Sequence, residues 1–431
     1  MAADKPKRGM NLWSVTAMGI GAMVGAGIFA LLGQAALVAG SYTYISFILG
    51  GVVAGLSGYS YAMLAIRYPD AGGVSTYFDH AFGPRQLSGT LSLVYLITIA
   101  VTIALVAKAF GAYAASLAFG NSSQLWVDIF ASSLIIVMTL LNVLGSGLVG
   151  KAEVVLVGIK LLILAGLMIS GAVGMAGHPS IQHSDPGVLG IVSCVGLTFL
   201  AYAGYGMMAN AAGSVPNPKR TIPRAIYLAI GAVIVLYVGL AVVVLASVSP
   251  AQLAQHSDVA VAEAARPVLG KAGFVIVSVG ALLATASGVN AWLFSAMQMS
   301  SALAKVGQLP KVFSQIFWRN GTRGLLFSVA GVLLFVNVFD LSALARIASA
   351  TFLITYLAVH VAHWRLIHET KASRWIVAIG FLTMAAVLVS FLWTTAVATP
   401  WSVAIIMLFI AGSWLIEWFL MRKVPAAQQR A

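Results

Sequence analysis

The sequence predicts an all-α integral membrane protein with twelve transmembrane helices. Of its 431 residues, 61% are hydrophobic and only 8% charged, far less charge than a water-soluble surface of that size requires. The apolar residues come in long runs, each near the roughly 20 residues that cross ~30 Å of hydrocarbon as a helix. The formal charge of +13 would suggest a nucleic-acid partner if it gathered on a soluble surface. Instead the basic residues punctuate the apolar runs, so they read as topology signals in a lipid bilayer, and no nucleic acid is expected.

In chain order the spans are expected at 12–38, 43–66, 88–118, 124–144, 152–176, 188–212, 223–247, 271–304, 322–339, 342–366, 374–397 and 400–422. With the N-terminus in the cytoplasm, nineteen of the 24 Lys and Arg fall on the cytoplasmic side, Arg266 and Lys271 fall outside, and Lys108, Lys160 and Arg346 lie within spans. That asymmetry fits the positive-inside bias of a cytoplasmic membrane. It also needs an even span count, which brings both termini, 1–11 and 423–431, to the cytoplasm. The polar, basic start (Lys5, Lys7, Arg8) leads into an apolar run too long for a signal peptide. Two connections, 67–87 and 248–270, are long enough to lie along the membrane surface or to plug a vestibule.

Some chemistries lack their parts. Cys194 is the only cysteine, so neither an internal disulfide nor a cysteine metal cluster can form. There is no HExxH and no Gly-rich loop ending in Lys-Ser/Thr, which speaks against a membrane protease or an ATP-driven pump. The histidines, for example His360 and His363 or His178 and His183, sit near span ends and read as interfacial rather than as ligands. No metal, other cofactor or enzymatic activity is expected.

Two spans look broken. The first carries GIGAMVGAGIFALLG, Gly19 to Gly33, with Gly25, Ala26 and Gly27 near its middle. Small residues at spacing four favour close helix packing. Alternatively the helix is discontinuous, so that unwound amides can hold a carboxylate and carbonyls an ammonium or cation. Five spans later the sixth carries LTFLAYAGYGMMANAAG, Leu197 to Gly213, with Gly204 and Gly206 central. Glycine-interrupted spans in matching positions of two five-helix halves point to an inverted-repeat transporter, with halves at 12–176 and 188–368 and its site at mid-membrane.

Charges inside spans are costly and informative. Lys160 lies about nine residues into the fifth span, ~13 Å deep at 1.5 Å per residue. It reads either as a titratable group beside the site or as a fixed cation satisfied by carbonyls. Lys108, in the third span, is expected to pair with Asp128 or to snorkel. Arg346, near Asp340, is expected to snorkel outward. The first, sixth and eighth spans contain no acid, which favours a neutral or zwitterionic cargo.

With these residues in hand, the chain resembles the amino acid–polyamine–organocation (APC) superfamily, and is most like its sodium-independent ApcT-type amino acid transporters. The likeness runs from about residue 12 to residue 370. It includes GAMVGAGIFALLG, RYPDAGGVSTYFDHAFG, VTIALVAKAFGAY, GKAEVVLVGIKLLIL, FLAYAGYG, VPNPKRTIPRAI and ALAKVGQLPKVF. It implies a LeuT-type fold: a five-plus-five inverted repeat with two peripheral helices. It further implies that the substrate carboxylate meets the first break at Gly25, Ala26 and Gly27. The ammonium would meet carbonyls of Met23, Leu200, Ala201 and Ala203, and Tyr205 would close an aromatic gate. Lys160 would occupy the place of a sodium ion and couple transport to protons, with Ser287 lining the same region. The chain departs from many relatives at Gly206, where they carry an acid, and at Gly213-Ser214, where they carry an acidic pair. Cationic amino acids and polyamines therefore become less expected cargo. The implied activity is proton-coupled, sodium-independent transport of neutral amino acids. Export or exchange by the same fold is the alternative, and the short tails speak against a non-transporting amino acid sensor.

Overall fold

The computed structural model describes residues 10–69, 73–83, 86–144, 149–175, 186–319 and 321–422. In hydrocarbon each backbone N–H and C=O must be satisfied within its own segment, so apolar runs of this length have only the helix open to them. Helix α1 (Leu12–Ala26) is capped by the Asn11 side chain, which accepts from Ser14 N at 2.8 Å, and α2 (Ile28–Ala39) continues the first span past Gly27. Then come α3 (Thr43–Arg67), the short α4 (Val74–Phe82), α5 (Gln86–Phe119), α6 (Gln124–Leu144) and α7 (Val149–Met175). The sixth span is α8 (Gly187–Tyr202), a 3-10 turn (Ala203–Tyr205) and α9 (Gly206–Asn210). After α10 (Pro218–Ser247), two short helices, α11 (Pro250–His256) and α12 (Ala260–Glu263), precede the long α13 (Arg266–Lys305). A small hairpin, β1 (Ile316–Trp318) with β2 (Gly321–Thr322), departs from the all-helical expectation. The chain ends in α14 (Arg323–Val338), α15 (Leu341–Arg365), α16 (Ile367–Thr370), α17 (Arg374–Ala398) and α18 (Pro400–Arg422).

Each of the twelve expected spans is helical. Among the described residues ten helical stretches are long and apolar enough to cross a membrane, because α2 and α3 run together through a 3-10 turn while α1 and α14 are shorter apolar helices. The longer connections carry structure too. The stretch 248–270 lies against α2, where Gly33 abuts the Ser257 carbonyl, and α4 packs on α5 and α15.

The neighbour pattern is what two related five-helix halves produce. Exchanging the first five spans for the next five turns the α1–α10 contact into α8–α3, α5–α15 into α13–α7, and α5–α14 into α13–α6; all six pairs are packed. The pairs α5–α13 and α3–α10 map onto themselves and are also packed. Helix α5 is central, with 78% of its most apolar stretch buried, whereas α18 is peripheral at 17%. Large apolar side chains such as Leu162, Val188 and Trp375 stand exposed, which in water would be an aggregation surface and in lipid is an ordinary one.

Candidate functional site

The two interrupted spans meet at the centre of the bundle. A Cβ at Gly204 would stand 2.6 Å from Met23 N and 2.8 Å from Ala22 C, so the turn of the sixth span lies directly on α1. A Cβ at Gly27 would stand 2.6 Å from Ala201 O and 2.7 Å from Tyr237 Oη. Met23, Gly27, Ala201 and Ala203 therefore surround one junction, with Leu200 at the adjoining end of α8. Gly25 faces the other way. Its Cβ would come within 3.0 Å of Ala284 O and Gly288 Cα, and Gly288 meets Gly25 backbone in return. Close helix packing thus explains Gly25. Ala26 ends α1, and its side chain lies outside the described residues.

The first break is narrower than an unwound stretch. Gly27 keeps φ −93° and ψ −74°; its N–H donates to Met23 O at 2.9 Å and its carbonyl accepts from Leu31 N at 2.9 Å. The helix axis is interrupted by one residue while its hydrogen-bond ladder is bridged. The sixth span breaks more fully, through a 3-10 turn whose carbonyls find other donors. Leu200 O accepts from Ala203 N, Ala201 O from Tyr237 Oη at 3.3 Å, and Ala203 O from Tyr356 Oη at 2.9 Å. Buried carbonyls cannot stay unpaired cheaply, and two tyrosines from α10 and α15 meet that demand.

Tyr205 is fully buried in an aromatic cluster. Its ring meets Tyr61 edge-on at 5.5 Å and Tyr356 at 5.6 Å; Tyr61 and Tyr356 lie 4.8 Å apart, and Tyr77 of α4 joins Tyr61 at 6.3 Å. The plug lies on the α4 side of the junction. Among the described residues the hydroxyls of Tyr61 and Tyr205 are buried without hydrogen-bond partners. Tyr61, Tyr237 and Tyr356 were not among the expected site residues. A tyrosine deep in an aliphatic span needs a polar partner, and that signal marks all three. Gly206 faces this cluster too: a Cβ there would stand 2.9 Å from Tyr356 Oη, so an acid at 206 has no room while Tyr356 caps Ala203.

Lys160 is fully buried, and its Nζ donates to Gly21 O at 2.9 Å, one turn before Gly25 on α1. Ser287 is buried on α13 beside Gly288. Lys160, Gly21, Gly25 and Ser287 therefore belong to the seam where α1, α7 and α13 pack together. This seam is the opposite flank of α1 from the Gly204 contact.

The remaining intramembrane cations lie elsewhere. Lys108 is buried and ion-paired with Asp128, which Gln124 also bonds at 3.1 Å. It lines a cavity of about 170 Å³ with Asp258, Asp340 and Ser342. Burial raises the pKa of Asp258, and repulsion from Asp340 adds to this; bonds from Ser257 and Gln34 and the charge of Lys108 oppose it. Arg346 is half-buried, and among the described residues its Nε has no hydrogen-bond partner. The interfacial reading of His360 and His363 is corrected: both are buried. Helices α3 and α17 flank that end of α15, and His360 Nδ1 lies 3.2 Å from Ser60 Oγ, His363 Nε2 3.1 Å from Thr370 Oγ1. His178 and His183 lie outside the described residues. Among the described residues no group of His, Cys, Asp and Glu could hold a metal ion.

A family profile described as amino acid permease matches residues 10–418. The chain is 47% identical to inner membrane transport protein YbaT of Escherichia coli, over 89% of this chain and 90% of that one. It is 34% identical to uncharacterized protein MJ0609 of Methanocaldococcus jannaschii, over 88% and 87% of the two chains. It is also 26% identical to the methylthioribose transporter of Bacillus subtilis, over 85% and 83%.

Proposed function

The chain belongs to the amino acid permease family, and from that premise we propose that it carries neutral, zwitterionic amino acids across a cytoplasmic membrane, coupled to protons and independent of sodium. The observation that carries this reading is the Lys160 ammonium, buried and bonded to Gly21 O on the span that holds the first break. A protonated lysine supplies there the fixed positive charge that a metal cation would otherwise supply. Loss of its proton weakens a charge-assisted bond of about 1.5–3 kcal/mol, enough to shift a two-state equilibrium about 10–150-fold. Proton occupancy at Lys160 thereby biases how firmly α1 is held against α7.

Cargo binds at the junction of Met23, Ala26, Gly27, Leu200, Ala201, Ala203 and Tyr205, its carboxylate toward the amides of the first break and its ammonium toward the carbonyls of the second. The halves 12–176 and 188–368 rock about this junction, 374–422 lies outside them, and both termini face the cytoplasm. The test is uptake of a labelled amino acid panel into proteoliposomes, with and without inward proton and sodium gradients. Uptake of neutral amino acids that follows the proton gradient alone is expected. Flux that ignores it, or that requires sodium, overturns the coupling; net efflux at equal driving force favours export by the same fold.

A further inference from the structure

A second buried polar cluster lies at the end of the bundle where α18 finishes, away from the junction. Asp79 of α4 is half-buried, and its Oδ1 accepts from Ser88 Oγ of α5 and from Gln308 Nε2 at 2.8 Å, in the turn after α13. The next residue of α5, Gly89, abuts the carboxyl group of Glu417 on α18. A Cβ at 89 would overlap that carboxyl, so α18 seats only over a glycine. Glu417 is 1% exposed. Among the described residues its Oε2 is buried with no hydrogen-bond partner, and so is Gln308 Oε1. Asp79 and Glu417 thus lie against consecutive residues of α5, Ser88 and Gly89. Among the described residues, neither carboxylate has an ion pair with Lys or Arg.

The cluster therefore sets a buried Glu417 carboxyl and an unpaired Gln308 amide oxygen beside Asp79, while the neighbouring donors Gln86 Nε2 and Ser413 Oγ, a turn from Gly89 and Glu417, are also unpaired among the described residues. Two carboxylates brought together out of water do not both ionise. One proton turns a carboxylate oxygen into a donor and removes the charge repulsion. We propose that Asp79 and Glu417 bind a single proton between them and that this shared proton fastens α18 to α4 and α5.

Among the described residues the surrounding cations are exposed or engaged elsewhere, and His80 alone exerts an opposing Coulombic pull on Asp79. On α4, His80 points outward and stacks on Tyr68 at 4.1 Å. On α15, Arg365 donates to Ala81 O at 3.4 Å and lies over the Phe82 ring, while His363 is turned to Thr370 and His360 to Ser60. On α17, Arg374 bonds His368 at 3.3 Å. Lys305 and Lys311, flanking the Gln308 turn, are exposed. Arg85 and the side chain of Arg422 lie outside the described residues. Burial raises the pKa of Asp79 against the opposing bonds from Ser88 and Gln308, in keeping with a site that holds a proton. In the orientation proposed above, this latch faces the cytoplasm and responds to its pH, whatever the cargo.

The test is made on the full chain in detergent, from about pH 5 to about pH 9, which brackets ordinary and raised carboxyl values. Thermal melting and the infrared carbonyl band of protonated carboxylic acids are followed for wild type, Glu417→Gln and Asp79→Asn. Wild type should lose stability as pH rises through the titration of the pair, by up to about tenfold in the folded-to-unfolded ratio per pH unit for one proton. Glu417→Gln should remove the pair's share of that slope and of the band. In Asp79→Asn the like charge is gone, so the band should titrate at a pH lower by about one unit or more; this comparison stands even if Glu417→Gln does not fold. An unchanged slope in Glu417→Gln, an unmoved band in Asp79→Asn, or no protonated band at neutral pH overturns the proposal. So does stabilisation of wild type, but not Glu417→Gln, by sodium or potassium at fixed pH, which would make the occupant a metal cation.

Discussion

Replacing Lys160 with glutamine separates the two physical roles that a buried lysine can play. The lysine Nζ gives Gly21 O a charged donor at 2.9 Å in a fully buried seam. Glutamine retains an uncharged N–H donor of similar reach and removes the titratable proton. The bond falls from about 1.5–3 kcal/mol to about 0.5–1.5 kcal/mol, a loss of about 1–1.5 kcal/mol, or roughly tenfold in the equilibrium it biases. If Lys160 is the proton carrier, Lys160→Gln should fold, bind substrate within about tenfold of wild type, and exchange it across proteoliposome membranes. Uptake driven by a proton gradient should fall to the level seen without one. Lys160→Met, which supplies no donor, should show the same uncoupling with the larger loss, about 1.5–3 kcal/mol, in melting stability. The assay is paired flux, with and without the gradient, on equal amounts of folded protein. A gradient response surviving in Lys160→Gln would make Lys160 a fixed structural donor and refute the coupling argument.

Other perturbations follow from the same geometry. Gly288→Ala places a methyl 2.9 Å from Gly25 backbone, and overpacking of this kind should cost about 1–3 kcal/mol, read as a lowered melting temperature. Gly206→Glu brings a side chain against Tyr356 Oη and should uncap Ala203 O; unchanged stability in that variant would show that the cap can move aside at no cost. Asp258→Asn tests pH dependence. The raised folded-state value of Asp258 means its contribution is complete below the unfolded value and is lost as pH rises through the folded one. The asparagine variant should therefore show a shallower decline of stability with rising pH than wild type.

The helical architecture was legible because it follows from solvent alone: lipid offers the backbone no partners, so run length and charge placement fix the spans. The Lys108–Asp128 pair was legible because a buried lysine needs a carboxylate and one lay at the facing span end. The two breaks were located at the right residues, but their character was not. The glycine-rich motif alone does not reveal that Gly25 serves packing against Gly288 while Gly27 makes room for Ala201 and Tyr237. Those assignments depend on which helix lies on each flank of α1, information carried by residues more than 170 positions away. His360 and His363 were misread for a related reason. Nearness to a span end implies the interface only when no neighbour covers that end, and α3 and α17 cover it here.

The tyrosine caps bear on how cargo can enter. At the junction, Ala201 O and Ala203 O are paired with Tyr237 and Tyr356, so an ammonium does not fill a vacancy but replaces neutral donors. A neutral hydroxyl-to-carbonyl bond is worth about 0.5–1.5 kcal/mol net, whereas a charged donor brings about 1.5–3 kcal/mol. The exchange favours the ammonium only if the displaced hydroxyls find acceptors or water. Within the proposed reading, a substrate lacking the ammonium would therefore leave the caps in place. Tyr356→Phe removes one cap and leaves Ala203 O with only the Gly206 N–H of the 3-10 turn, at a cost of about 0.5–1.5 kcal/mol to the empty protein. That cost is relieved when an ammonium arrives, so the variant should melt lower when empty yet bind its amino acid more tightly. Isothermal titration against the amino acid found by uptake measures the second effect. Weaker binding in Tyr356→Phe would mean that the hydroxyl contacts the substrate directly, and that Ala203 O is not where the ammonium goes.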